Sequence, residues 1–126
     1  MIYSRALLIG KWYRHGIDEQ GNQVSEYADI SADGCFEFTF VYHDANGATT
    51  HQSIELGDWG LVGDIHFTIT KSEFVDEQHY AVDLAEPDNY NAYRVLELTS
   101  QTFKYQHIVS NEIFVSRRLV SDVGNC

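Results

Sequence analysis

The sequence predicts an all-β protein: an antiparallel up-and-down meander of eight or nine strands, stacked as two sheets or closed into a small barrel. Three observations predict it. Apolar side chains recur at every second position in segment after segment, most clearly in the stripe Phe36, Phe38, Phe40, Tyr42 and in Trp59, Leu61, Ile65, Phe67, Ile69. Two-residue turn signals punctuate these runs, namely Asp33-Gly34, Asn46-Gly47 and Ser110-Asn111. No segment sustains a helical stripe, so βαβ units are excluded and the short links imply antiparallel neighbours.

Residues 1–9 form a short helix or turn ahead of the first strand. Residues 10–16 are a strand with Gly10, Trp12 and Arg14 on one face, and Gly21 marks the turn that follows. Residues 23–31 alternate Val24, Glu26, Ala28, Ile30 against Ser25, Tyr27, Asp29. The aromatic strand 35–43 comes next, and a β-branched, polar strand returns over 48–56. Gly57-Asp58 interrupts the pattern. The stretch 59–70 is two strands or one sharply bent strand, with Val62-Gly63-Asp64 at the bend, Trp59, Leu61, Ile65, Phe67 and Ile69 buried, and His66, Thr68 and Thr70 wet. Residues 71–78 are a loop or helical turn, 79–84 a strand, and 85–91, with the single Pro87, a connection. The closing strands are 92–98, with Ala92, Arg94, Leu96, Leu98 opposite Tyr93, Val95, Glu97; 102–109, with Phe103, Tyr105, His107, Val109; and 112–120, with Phe114, Ser116, Arg118, Val120. The tail 121–126 is polar and frayed.

One domain of 126 residues accounts for the length, and 44 % hydrophobic residues suffice for a packed core. The formal net charge of −11 repels phosphate backbones and anionic lipid, which argues against nucleic-acid and membrane-surface partners. No run of eighteen apolar residues and no signal-peptide core is visible, so a cytoplasmic location is expected. Cys35 and Cys126 are expected to be free thiols, because a frayed terminus anchors a disulfide poorly.

Gly10-Lys11-Trp12 at the first strand, followed by repeated hairpins, resembles the lipocalins and other calycin-like barrels, small bacterial lipocalin-like domains in particular. A second Gly-x-Trp, Gly57-Asp58-Trp59, adds to the likeness. The resemblance covers roughly Leu8 to Val120. It implies that Trp12 plugs one end of the barrel and that an arginine of the last strand, Arg117 or Arg118, packs across it. Independently of any family, a barrel end needs a large apolar cap whose indole N–H still finds a partner, and an arginine can cover that ring with its stem. The chain is shorter than secreted lipocalins, which implies a reduced interior.

No catalytic constellation is found. There is no HExxH, no Gly-x-Ser-x-Gly and no phosphate loop followed by a helix, so no catalytic residue, metal or cofactor is assigned. The nearest approach to a metal site is His43 and His51 across the Asn46-Gly47 turn, with Asp44 as a third ligand. Glu37, Glu55, Glu97 and Asp64 fall on outward faces or bends, whereas Arg94 shares a face with Leu96 and Leu98 and would need a mate such as Glu26. The expectation is a non-enzymatic binding module for a small apolar or amphipathic ligand, lined by Tyr80, Tyr93, Arg94 and Tyr105. The alternative is a filled structural or interaction barrel forming a homodimer, and a small enzyme ranks third.

Overall fold

The computed structural model describes residues 3–17 and 20–119. A single helical turn, α1 (Arg5–Leu8), precedes nine strands: β1 (Gly10–Ile17), β2 (Gln23–Ile30), β3 (Cys35–His43), β4 (Thr49–Val62), β5 (Ile65–Val75), β6 (Gln78–Ala81), β7 (Tyr90–Leu98), β8 (Thr102–His107) and β9 (Ile113–Arg118). A 3-10 turn at Pro87–Asn89 leads into β7. All pairings are antiparallel, and β4 pairs with both β3 and β5. The result is an up-and-down barrel of eight strands, β1–β5 and β7–β9, with β6 as an added edge on the far end of β5. Closure gives every barrel strand a hydrogen-bonded neighbour on each side. No described helix is long and apolar enough to cross a membrane.

The seam that closes the barrel is short. Among the described residues β1 and β9 pair at Trp12↔Arg118 and Tyr13↔Arg117, with one further bond from the Leu119 N–H to the Lys11 carbonyl at 2.8 Å. The two ends of the barrel differ. At one end α1 and the turns after β2, β4 and β7 gather over the buried core of Leu8, Trp12, Ile30, Phe36, Trp59 and Phe103. At the other, β3, β4 and β5 run on beyond the shorter β8 and β9, so the wall is tall on one side of the mouth and low on the other.

Period-two patterning holds for β3, where Phe36 is buried with Phe38 stacked on it at 4.1 Å, and for Phe103 and Tyr105 in β8. It inverts elsewhere. Gly63-Asp64 is a two-residue hairpin turn pairing Val62 with Ile65, and Gly63 has φ of 62°, which suits glycine. Crossing that turn transfers the buried face, so His66, Thr68 and Thr70 point inward and are buried, while Ile65, Phe67 and Ile69 lie on the outer face. The expected assignment of that stretch is therefore reversed beyond the turn.

Three bulges account for other differences. Across β4/β5 the register steps from Leu56↔Ser72 to Gly57↔Thr70, leaving Lys71 unmatched and placing Glu73 opposite Glu55. Both strands thus continue where a break after Leu56 and a loop at 71–78 were expected; the projecting ends are solvated on both faces and lose their alternation. Between Val95 and Glu97 a second shift makes Leu96 the extra residue, so Tyr93, Val95 and Leu98 face inward and Arg94 outward. A third lies at Tyr42/His43. β6 is shorter than the expected 79–84 strand, and β8 ends at His107, leaving Val109 79 % exposed. Val120, Cys126 and the tail expected to fray lie outside the described residues.

Candidate functional site

The closed end is built from two tryptophan–arginine pairs. Trp12 is 1 % exposed and its Nε1–H donates to the Leu8 carbonyl at 2.9 Å, which ties α1 across the barrel floor. The Arg118 guanidinium lies 4.1 Å over the Trp12 ring. It donates to the carbonyls of Ile9 (2.7 Å), Ser100 (2.8 Å) and Leu7. Gly10 makes room for it, since a Cβ there would stand 2.3 Å from Arg118 Nη1. On the opposite wall Trp59 donates to the Ser31 carbonyl at 2.8 Å and carries the Arg5 guanidinium 4.6 Å over its ring. Gly57 is again required two residues earlier, because a Cβ would meet the Ile69 carbonyl oxygen at 1.9 Å and Phe36 at 2.8 Å.

Above this floor the barrel is filled by aromatic side chains. His66 is 2 % exposed among Trp59, Tyr93 and Phe103, with ring centroids 5.7–6.0 Å away. Its Nδ1–H donates to the Gly60 carbonyl at 3.3 Å, which leaves Nε2 without a proton in the neutral ring. Burial depresses its pKa to about 4, and the bond to Gly60 only partly opposes this. Tyr105 contacts the Ser116 hydroxyl at 3.5 Å. The space left here is about 30 Å³, room for about one water.

Towards the mouth the interior opens into a cavity of about 230 Å³, whose walls include Phe38, Phe40, Tyr93 and Phe114 with Arg14, Glu26, Glu55 and Asn91 among them. Arg14 stands opposite Glu26 across β1/β2, and its Nε and Nη2 both donate to Glu26 Oε1, at 3.1 and 2.8 Å. The guanidinium also lies 4.8 Å over Phe114. Burial pulls the Arg14 pKa down, but Glu26 more than offsets it and the net displacement is upward. Glu55 faces Phe38 across β3/β4 and Glu73 across β4/β5. Burial raises its pKa; Thr70, donating to Oε1 at 3.1 Å, works against this, and repulsion from Glu73 and Glu26 works with it. Burial likewise drives the Tyr93 and Tyr105 phenols well above their usual range, so both are neutral donors at neutral pH. Asn91 is fixed by His107, whose Nε2–H donates to Asn91 Oδ1 at 3.0 Å while its Nδ1 accepts from Val109 and Ser110.

Among solved structures, the chain is similar to a lipocalin-like protein from Bacteroides uniformis ATCC 8492, with a TM-score of 0.53, 14 % sequence identity, and coverage of 90 % of this chain and 99 % of that one. The fold is a lipocalin-like β-barrel. No family model and no curated protein matches the sequence.

In this lipocalin-like barrel, the residues expected to line a ligand site separate. Tyr93 and Tyr105 line the interior. Tyr80 does not: it is exposed on the edge strand β6. Arg94 is also outside, paired with Asp64 at 2.8 Å, because the bulge at Leu96 breaks the continuity of faces that had grouped it with Leu98. The arginine that meets Glu26 is Arg14. Arg118, not Arg117, lies over Trp12, since Arg118 shares the inward face with Ser116 whereas Arg117 points to solvent. Glu55, expected outside, faces the cavity. The legible signal was the Gly10/Trp12/Arg14 period, which puts Arg14 on the inner face; its pairing with Glu26 is set by the β1/β2 register. His66 gave none, because a turn decides its face, and Glu55, in unbroken period with Gly57 and Trp59, was hidden by the break expected at Gly57-Asp58.

The suggested metal constellation does not assemble. His51 stacks on Tyr42 at 4.1 Å, and Asp44 Oδ1 accepts the Asn46 and Ala48 N–H groups of its own turn. No group of three potential ligands occurs among the described residues. Cys35 is exposed, and the neighbouring Asp33 carboxylate raises its pKa, the reverse of what an activated thiol needs. A broader depression of about 720 Å³ follows the projecting ends of β4 and β5, but Thr49 through Gln52 on its wall are all exposed, which makes it a surface concavity.

Proposed function

We propose that the protein is a non-enzymatic binding module that holds one small amphipathic molecule in the mouth of its barrel. The observation that carries this reading is the cavity of about 230 Å³, aromatic on its walls and polar at Arg14, Glu26, Glu55 and Asn91. Ligand sites combine an apolar surface with a few fixed polar groups in this way. The filled floor restricts the occupant to the upper half of the barrel, and the volume, below the usual range for drug-sized ligands, restricts it to a small molecule. Native mass spectrometry of freshly purified protein tests the reading. A retained small molecule, lost on substitution of Tyr93 or Glu55, supports it; a bare chain that also takes up no small amphipathic compound on titration overturns it.

A second reading is self-association through the outer face. Phe67, Ile69, Tyr90, Ala92, Ile108 and Val109 form an apolar groove of about 270 Å³ on the outside of β5 and β7. Apolar and aromatic residues on an exposed sheet face suit an interface. Sedimentation velocity distinguishes the readings: a dimer that Val109→Asp converts to monomer supports the second, and a monomer at all concentrations removes it. We further propose a reducing, cytoplasmic setting, which the exposed Cys35 thiol supports and which localisation of the tagged protein tests.

A further inference from the structure

We propose that the molecule held in the barrel mouth is a small organic cation, a protonated amine on an aromatic or alicyclic body, with its ammonium on Glu55 and its body against Phe38, Phe40 and Tyr93. This rests on the binding reading above and adds the chemistry of the ligand to it.

The charges around the cavity carry the inference. Arg14 is the one cationic residue on the described cavity wall. Its Nε and Nη2 converge on a single oxygen of Glu26, and its guanidinium face is occupied by Phe114. An anionic ligand would have to displace Glu26 from that pair and then lie beside Glu55. Arg14 and Glu26 cancel, which leaves an acidic excess at the mouth, Glu55 with the facing Glu73 and, near Arg14 and Tyr93, Glu112. Among the described residues the hydrogen-bond partner of Glu55 is the neutral Thr70 hydroxyl, at Oε1. A partly buried carboxylate repelled by a second carboxylate gains from a cation more than from any neutral donor. The neighbouring surface suits the rest of such a ligand. Phe38 is the direct cross-strand neighbour of Glu55, and Phe40 adjoins it on the same face. Aromatic rings beside a carboxylate attract an ammonium through their π faces and cover an apolar body.

The test compares three probes of nearly the same shape and different charge, 2-phenylethylamine, 2-phenylethanol and 3-phenylpropanoate, titrated calorimetrically into the intact protein at neutral pH. The amine is expected to bind about tenfold more tightly than the alcohol, and the carboxylate more weakly than either. Glu55→Gln should bring the amine and alcohol to within about threefold of each other. Glu37→Gln is the control: Glu37 pairs with Leu56, the neighbour of Glu55, and is exposed on the outer face of the wall, so it removes the same charge from nearly the same place outside the cavity. It should leave the tenfold preference intact. If Glu55→Gln does not fold, Glu73→Gln should lower the preference in the same direction. An alcohol or carboxylate that binds as tightly as the amine overturns the cation and leaves the binding module standing. An amine preference that Glu37→Gln reduces as much as Glu55→Gln also overturns it, as general surface charge. Failure of all three probes to bind up to about 10 mM overturns both readings.

Discussion

Removing Arg118 should cost this barrel more than removing any other surface-reaching side chain, and its neighbour Arg117 should be nearly neutral. Arg118 is the cross-strand partner of Trp12 at a seam that, among the described residues, is two pairs long. Its guanidinium joins three segments, through the carbonyls of Leu7 and Ile9 before β1 and of Ser100 before β8, and covers the Trp12 ring at 4.1 Å. Each charge-assisted bond contributes about 1 kcal/mol net where it is partly solvated. The cation–π contact adds about 0.5–1 kcal/mol. Arg118→Ala should therefore destabilise by about 3.5–4 kcal/mol, a fall of about 13–15 °C in Tm for a domain of this size. Arg117 is exposed, with its side chain on the outer face, so Arg117→Ala should stay within about 0.5 kcal/mol. Urea denaturation followed by tryptophan emission measures both, and Arg118→Ala should in addition shift native emission to the red as water reaches Trp12. Equal losses for the two variants, or a loss below about 0.5 kcal/mol for Arg118→Ala, would refute the claim that this arginine seals the seam.

The remaining predictions concern the walls and the interior. Gly57→Ala should destabilise by about 3 kcal/mol or prevent folding, because its Cβ would meet a backbone oxygen at 1.9 Å that cannot rotate away; expression and thermal melts report this. His66, with a native pKa of about 4 against an ordinary 6.5, binds protons more weakly folded than unfolded, so its contribution is present above pH 6.5 and lost as pH falls towards 4, on the order of 3 kcal/mol in all. A pH series of denaturation curves should show that slope, and His66→Gln should flatten it. Glu55→Gln in the absence of ligand should raise stability at neutral pH, since burial and the facing Glu73 disfavour the carboxylate there; a melt that falls instead would contradict the placement of Glu55. Arg14→Met alone should cost about 3 kcal/mol by stranding Glu26, and the double variant with Glu26→Leu should recover most of it, as a double-mutant cycle would measure.

The meander, most strand positions and the floor of the barrel were legible because they depend on local signals. Phe36, Phe38 and Phe40 alternate without interruption, so β3 declares its inner face, and Gly10-Lys11-Trp12 locates the first tryptophan of the floor, while Trp59 was expected only to be buried. The mouth was less legible, for a reason of geometry. A residue inserted at a bulge, or a two-residue turn taken as a whole, exchanges the two faces of what lies beyond it. Gly63-Asp64 hid the inward face of His66, and the extra Leu96 moved Arg94 from the inner set to the outer. Arg14 was placed on the correct face by its period with Trp12, but its partner is set by the register of the β1/β2 hairpin, which composition does not reveal. The projecting ends of β4 and β5 contact solvent on both sides and so carry no alternation to read.

The distribution of polar groups inside the barrel separates what holds it together from what it presents. The floor is sealed by indole rings whose N–H groups end on backbone carbonyls and whose faces are covered by arginines, an arrangement that gives both buried indole N–H groups a partner. Nothing comparable is required at the mouth. An ion pair with side chains only 21 % and 12 % exposed is a poor stabiliser, because desolvating both charges cancels much of their attraction, and an apolar pair of similar volume would fill the same space at no such cost. Glu55 is a further expense of the same kind, as its raised pKa records. Packing alone would replace all three with leucine or phenylalanine and continue the aromatic floor upward. The charged residues Arg14, Glu26 and Glu55 sit together on the walls of the open chamber, whereas His66 and Ser116, deeper in the barrel, are uncharged at neutral pH and hydrogen-bonded; that grouping of charge is what the proposed binding reading draws on.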